Sequence, residues 1–333
     1  MHSAHFVRGC WIAFTLSVGF VDWSGQATLA AEKKIEEKPY AIDVMAKTVL
    51  YLEFDQQASE IIDINGTKVE CDLYLKIPGR DSYVAKRVRM TGTGSLVQSQ
   101  VLPYVVTARH LVKNTKSIGR YWISPIEGEI RSGTFEDLRK KIPGAKWFFH
   151  EHADIAVHPI ILGGRDSTFR VAPKNTLSLE PPELLTLVCV PGFPHSLGKD
   201  NVELGPLVTT CEIASWPAIL PGNPDTKVIF LNARLAKGYS GAPVFSLREP
   251  PSQSVLAGHT VRLVGIQSGT YVFKDTQPAG REAIVTQDEV SYIVPVSCLV
   301  ELLDSKEVQE FEKVLLAKIK AASLKEQTPP KPG

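Results

Sequence analysis

The chain has 333 residues, enough for one large domain or two of ordinary size. Hydrophobic residues make up 44% of it, as in a soluble globular protein with a real core. Lysine plus arginine (37) nearly cancel aspartate plus glutamate (36), so the bulk charge offers nothing for nucleic acid or an anionic membrane to recognise.

The N-terminus reads as a leader. Arg8 precedes an apolar run from Cys10 to Val21, followed by the small-residue stretch Ala27-Thr28-Leu29-Ala30-Ala31. A basic start, an apolar centre and a small-residue exit are the layout of a secretory signal peptide cleaved near Ala30, which predicts a secreted or periplasmic protein. The run is short for a membrane span of about 20 residues, although an uncleaved anchor or a buried first helix has the same composition. No later stretch is apolar enough to cross a bilayer. Cleavage would remove Cys10 and leave Cys71, Cys189, Cys211 and Cys298, an even set that permits disulfides or buried thiols alike.

β-type segments follow one another through the middle of the chain: 49–54, 68–77, 94–97, 102–108 and 154–161, then 184–190, 208–213, 227–232, 243–246, 261–268 and 291–296. A Gly- and Pro-rich connection over about 163–182 divides the two series, which predicts two antiparallel β units, the first over 31–165 and the second over 166–304. Arg131 to Pro143 reads as a charged insertion between the histidine and the acid, a solvated surface helix or, as the alternative, a gate over the cleft. Only residues 305–333 look helical at the end, with Val308, Phe311, Val314, Leu315, Ile319 and Leu324 at helical spacing before a polar, Pro-rich tail.

Three segments carry chemistry. In Gly238-Tyr239-Ser240-Gly241-Ala242-Pro243, the glycines allow a sharp turn that aims the N–H groups of Gly238 and Ser240 at one spot, as an oxyanion pocket beside a nucleophilic serine requires. Val105-Val106-Thr107-Ala108-Arg109-His110 delivers a histidine at the end of an apolar strand, where a proton-shuttling base belongs. Asp154 opens the apolar run Ile155-Ala156-Val157; a carboxylate there is costly unless paired, and the second ring nitrogen of His110 would pair it. Asp154 lies 44 residues after His110, and Ser240 lies 86 residues after Asp154. That order, His then Asp then Ser, is one of the known triad arrangements and excludes the Ser–acid–His order of α/β-hydrolases.

These motifs resemble those of the trypsin-like (chymotrypsin-fold) serine peptidases, particularly their bacterial secreted branch. Thr107 to His110 is similar to that family's Thr-Ala-Ala-His, Asp154 to Val157 to its Asp-Ile-Ala-Leu, and Gly238 to Pro243 to its Gly-Asp/Asn-Ser-Gly-Gly-Pro. Gly92 to Val97 resembles the strand ahead of the histidine, Pro191 to Pro194 the turn opening the second barrel, and Leu263 to Gly269 the pocket-wall strand. The resemblance covers about residues 44–304. It implies an all-β fold of two antiparallel six-stranded β-barrels with a C-terminal helix, His110, Asp154 and Ser240 as catalytic triad in the cleft between them, and Ser268 in support of the triad acid. The expected function is peptide-bond hydrolysis through an acyl-enzyme, on a polypeptide substrate and with no cofactor.

Departures from the pattern matter. Tyr239 replaces the acid that zymogen-activated members use, and Ala242 replaces the second glycine, adding a methyl group behind the loop. Arg234 lies six residues before Ser240, where enzymes cutting after Lys or Arg carry a pocket acid. The alternative function is a catalytically inactive fold that binds without turnover. A metal site from His150, His152, Asp154 and His158 is a third reading that competes for Asp154, and no metal is expected. His195 and His259 read as surface-loop residues.

Overall fold

The computed structural model describes residues 48–57, 59–64, 67–76, 83–113, 119–123, 131–161, 177, 179–196, 205–248, 260–273 and 288–326. The leader, the boundary at 165/166, His259 and the tail from 327 onward lie outside the described residues. The first half of the chain contributes β1 (Val49–Gln57), β2 (Ser59–Ile64), β3 (Thr67–Asp72), β4 (Tyr74–Lys76), β5 (Tyr83–Ala85), β6 (Arg87–Gln98), β7 (Pro103–Thr107), β8 (Arg120–Ile123), β9 (Arg131–Thr134), α1 (Phe135–Lys141), β10 (Phe148–Phe149) and β11 (Ala156–Pro159). The second contributes β12 (Leu187–Gly192), β13 (Leu207–Glu212), β14 (Ala218–Leu220), β15 (Asn223–Phe230), β16 (Pro243–Arg248), β17 (Thr260–Phe273), β18 (Asp288–Pro295), α2 (Val296–Leu303) and α3 (Lys306–Glu326).

The two β units are present as two seven-stranded antiparallel sheets, in the orders β10-β11-β7-β6-β1-β8-β9 and β13-β12-β16-β17-β18-β15-β14. The resemblance implies six strands each; the additional members are short edge pieces, the two-residue β10 and the three-residue β14. Among the described residues no ladder joins β10 to β9 or β13 to β14. The run 68–77 is not one strand: it divides at Leu73 into β3 and β4, which pair with β2 and β5 as separate hairpins.

Strands near the middle lack an apolar–polar alternation because both of their faces are buried. On β7, Val105 faces the interior of its own sheet's cluster with Leu50, Leu52 and Leu96, while Tyr104 and Val106 enter a second cluster. On β12, Val188 and Val190 face the second unit's interior, and Cys189 enters that same second cluster. This shared layer joins both sheets and is roofed by Val296, Leu299, Leu302 and Val308 of α2 and α3. Helix α3 is held there by a buried carboxylate: Glu312 accepts hydrogen bonds from Ser99 Oγ (2.6 Å) and Tyr104 Oη (3.0 Å). Burial, then the charge of Glu312, push the Tyr104 pKa far up, so its phenol remains a donor. No helix among the described residues is long and apolar enough to cross a membrane. Cys189, Cys211 and Cys298 are free and buried, and burial raises the first two thiols to about 12 and about 11; the side chain of Cys71 lies outside the described ones.

The 131–143 segment is less solvated than its charges suggest. Thr134 caps α1 by accepting the Asp137 N–H, and Phe135 and Leu138 are buried in the first unit's core. Phe135 and Trp147 pack edge-on against His158, with ring centroids 5.0 and 5.2 Å away. His158 is fully buried; its Nδ1 bonds the Pro159 carbonyl (2.8 Å), and Nε2 has no partner. Burial lowers its pKa from 6.5 to about 4, against the Pro159 carbonyl and with help from Arg139.

Between those two values the unfolded chain binds a proton that the folded chain refuses. Stability from this group is therefore full above pH 6.5 and is lost as pH falls toward 4, by an amount on the order of 3 kcal/mol. Urea unfolding at pH 7 and pH 4 should show a smaller acid loss in His158→Gln than in the parent; equal losses would clear His158 of the effect.

Candidate active site

His110 is placed by the residue after it. Strand β7 runs out at Thr107, and the chain enters a 3-10 turn over Arg109–Leu111. Leu111 buries itself against β6 at Gly92, where a Cβ would come within 2.3 Å of it. Gln56 of β1 donates to the Leu111 carbonyl at 2.6 Å. Arg109 reaches the next loop, donating from Nη1 to the carbonyls of His150 (2.7 Å) and Glu151 (3.1 Å) and lying over the Phe149 ring.

That loop carries Asp154. His150 N–H donates to the Ile155 carbonyl, while His150 Nδ1 accepts the N–H groups of Ala153 (2.9 Å) and His152 (3.2 Å). The result is a closed turn between β10 and β11. Asp154 then binds His110 twice: Oδ2 to Nδ1 at 2.7 Å and Oδ1 to the backbone N–H at 2.8 Å. Ser268 Oγ donates to the same Oδ2 at 2.5 Å. Ser268 reaches it because the β17–β18 register steps over this residue, from Gln267–Ile293 to Gly269–Tyr292, and a bulge re-aims the side chain. Burial works to raise the Asp154 pKa, but the His110 hydrogen bond and charge, the Ser268 hydroxyl and the His110 N–H together hold it below the ordinary carboxylate value.

Ser240 sits on a loop clamped to the first unit. Thr93 of β6 donates its N–H to the Ser240 carbonyl (2.8 Å) and its hydroxyl to the Gly238 carbonyl (2.7 Å), and its Oγ1 accepts the Phe193 N–H (3.0 Å). Gly238 and Gly241 have φ of +103° and +85°. A Cβ on Gly241 would lie 2.0 Å from the Thr93 carbonyl oxygen, so only glycine fits. The Lys237 carbonyl accepts the His195 N–H at 2.7 Å, and a trans peptide turns the following Gly238 N–H the opposite way. Among the described residues, the N–H groups of Gly238 and Ser240 have no acceptor. Free backbone donors of this kind, one of them the serine's own and one two residues before it, can stabilise an oxyanion.

His110, Asp154, Ser240 and Ser268 all line one cleft of about 1100 Å³. No hydrogen bond joins His110 to Ser240 in this structure. His195 is exposed in the turn Pro194–Ser196, as a surface-loop residue, and also lines this cleft, with a left-handed backbone at φ +52°. Tyr239 is buried, its hydroxyl bonded to Thr209 Oγ1 at 2.7 Å, and the Ala242 methyl packs into the second unit's core. The alternation of His150, His152, Asp154 and His158 does not build a metal site, because residues 150–155 form a turn and His158 faces the core. A different trio, His150, Cys298 and Glu301, has ligand atoms within 4.8 Å of one another. Two backbone N–H groups occupy His150 Nδ1, so the neutral ring keeps its proton on Nε2 and donates it to Glu301 (3.2 Å), leaving no nitrogen lone pair for a cation. Sequence reading missed Thr93 and Arg109 as positioning residues; the only available signals were a polar residue between two glycines and an arginine directly before the histidine.

Residues 92–249 match the family model of the trypsin-like peptidase domain. The chain carries a trypsin-like peptidase domain. It spans the Thr93 clamp, His110, Asp154 and Ser240, and Ser268 lies beyond the matched stretch. No curated protein matches the chain. Among solved structures, Deg5 is 12% identical over 78% of this chain and 88% of its own, with a TM-score of 0.42. The active form of the Rv3671c protease from M. tuberculosis is 15% identical over 79% and 82%, at 0.41. The protease Anisep from Arthrobacter nicotinovorans is 13% identical over 78% and 94%, also at 0.41. The assignment of the peptidase domain rests on the sequence match and not on these likenesses.

Thr93→Val keeps the shape and removes the hydroxyl that serves both Gly238 and Phe193. Leaving those buried groups unpaired should cost about 1–3 kcal/mol, read as a lower urea midpoint at unchanged slope. An unchanged midpoint would show that the clamp carries no load.

Proposed function

We propose that the chain is a serine endopeptidase acting through an acyl-enzyme. The observation that carries this reading is the Asp154 carboxylate, which fixes the His110 ring through Nδ1 and leaves Nε2 as the ring nitrogen open to the cleft that Ser240 also lines. Ser240 Oγ attacks the scissile carbonyl and its proton passes to His110 Nε2. The oxyanion is held by the N–H groups of Gly238 and Ser240. As the C–N bond breaks, His110 returns the proton to the leaving amine, and a water repeats the sequence on the ester. Asp154 and Ser268 move no proton; they orient the ring and stabilise its charged form. Secretion or export to a periplasm belongs to the same reading and rests on Arg8, the apolar run and Ala27 to Ala31 alone.

The missing hydrogen bond between His110 and Ser240 favours one other reading, a resting or inactive form that binds without turnover. A fluorophosphonate probe separates the two. The mature chain should gain one covalent adduct by intact mass, Ser240→Ala should gain none, and His110→Ala should label about 10²–10⁴-fold more slowly. A folded parent chain that takes no label would overturn the hydrolase reading.

A further inference from the structure

The chain as a whole is almost neutral, but the cleft is not. Four cationic side chains line it, Arg109, Lys113, Arg234 and Lys237, against two carboxylates, Asp154 and Glu289. Both carboxylates are committed. Asp154 is taken by His110 and Ser268, and Glu289 by Arg234, with Nε and Oε2 2.6 Å apart. Of the cations, Arg109 is engaged by the loop carbonyls it supports. Lys113 and Lys237 are exposed and have no carboxylate partner among the described residues. They line the cleft from different β units, Lys113 three residues after His110 and Lys237 three residues before Ser240.

We infer that the cleft selects polypeptides carrying Asp or Glu close to the bond presented to Ser240. The inference rests on the proposed site and adds the charge of its substrate. An incoming carboxylate meets two ammonium groups that have no carboxylate partner among the described residues. An incoming Lys or Arg meets, among the described residues, no carboxylate that it could pair with without breaking an existing ion pair, and it adds like-charge repulsion. Arg234 strengthens the bias: a basic side chain could reach Glu289 only by displacing a guanidinium already seated there. Because the lysines are exposed, the preference is moderate and is screened by salt, the Debye length shrinking from about 10 Å at 0.1 M to about 3 Å at 1 M.

Binding to the Ser240→Ala full chain tests this without turnover. Fluorescent peptides of one scaffold, with Glu, Gln or Lys at the positions flanking the central bond, would be titrated and followed by anisotropy. The Glu peptide should bind about 3- to 10-fold more tightly than the Gln peptide, and the Lys peptide more weakly still. The spread should collapse in 1 M NaCl, and adding Lys113→Glu and Lys237→Glu should invert the order. Equal binding of Glu and Gln peptides, tighter binding of Lys, no detectable binding of the Glu series, or an order untouched by the two reversals overturns the inference. Fluorophosphonate labelling of the unmodified chain reports separately on the site itself. Labelling with charge-indifferent binding discards the acidic preference alone, whereas Glu-selective binding without labelling discards the hydrolase alone.

Discussion

One buried threonine decides whether there is a site at all. Thr93 lies in the long central strand of the first sheet, fully buried, and every polar atom it owns is used on the loop that brings Ser240 or on the structure beneath it. Its carbonyl also accepts the Thr107 hydroxyl, which ties it to the strand leading to His110. The serine loop of the second sheet is therefore built on the backbone of the first. Glycine at 241 follows from this, since the loop passes too close to Thr93 for any side chain. So does glycine at 92, where Leu111 and the Ser240 carbonyl already fill the space. Neither sheet alone could set Ser240 and His110 on the same cleft.

The two sheets need a docking surface stiff enough for that, and the doubly buried strands provide it. Tyr104, Val106 and Val157 from one side meet Cys189, Phe245 and Val294 from the other, under the roof of α2 and α3. Close packing of this kind resists small displacements, because sliding by part of a side chain opens voids and strains rotamers. The Glu312 carboxylate adds a directional constraint, since a buried charge tolerates only positions where Ser99 and Tyr104 both reach it. Two polar bonds cross near the cleft as well, from Ser268 to Asp154 and from Thr226 to the His152 carbonyl. Packing fixes the distance between the sheets, and these bonds fix their register.

What could be read in the sequence beforehand follows from this division. His110, Asp154 and Ser240 were legible as candidates that share one cleft, because the chemistry proposed for them restricts residue type and chain order, and both are visible in the sequence. Strands were legible wherever a short β-branched run ended in turn residues. Partners far apart in the chain were not. The hydroxyl of Thr93 meets a carbonyl 145 residues away, and Ser99 meets Glu312 across 213 residues, with no local pattern to mark either pairing. The division at Leu73 escaped notice because alternation continues across it, and α1 read as solvated because its charges outnumber the two residues it buries, Phe135 and Leu138.

The balance at Asp154 shows why docking and chemistry cannot be separated. Burial alone would push this carboxyl toward its neutral form, which would hold the His110 ring poorly and could not stabilise it once charged. Hydrogen bonds reverse that tendency, and they come from both sheets: the His110 ring and backbone from the first, the Ser268 hydroxyl from the second. The bulge that frees Ser268 from its ladder is what makes the second contribution geometrically possible. A relaxation of the interface would withdraw Ser268, since it alone of the Asp154 donors comes from the second sheet. The Asp154 pKa would then rise toward the ordinary carboxylate value, and the stability its ionised form contributes would be lost at a higher pH as the solution is acidified. The acid is thus an internal gauge of how well the two sheets are seated, and the same seating holds Ser240 through Thr93.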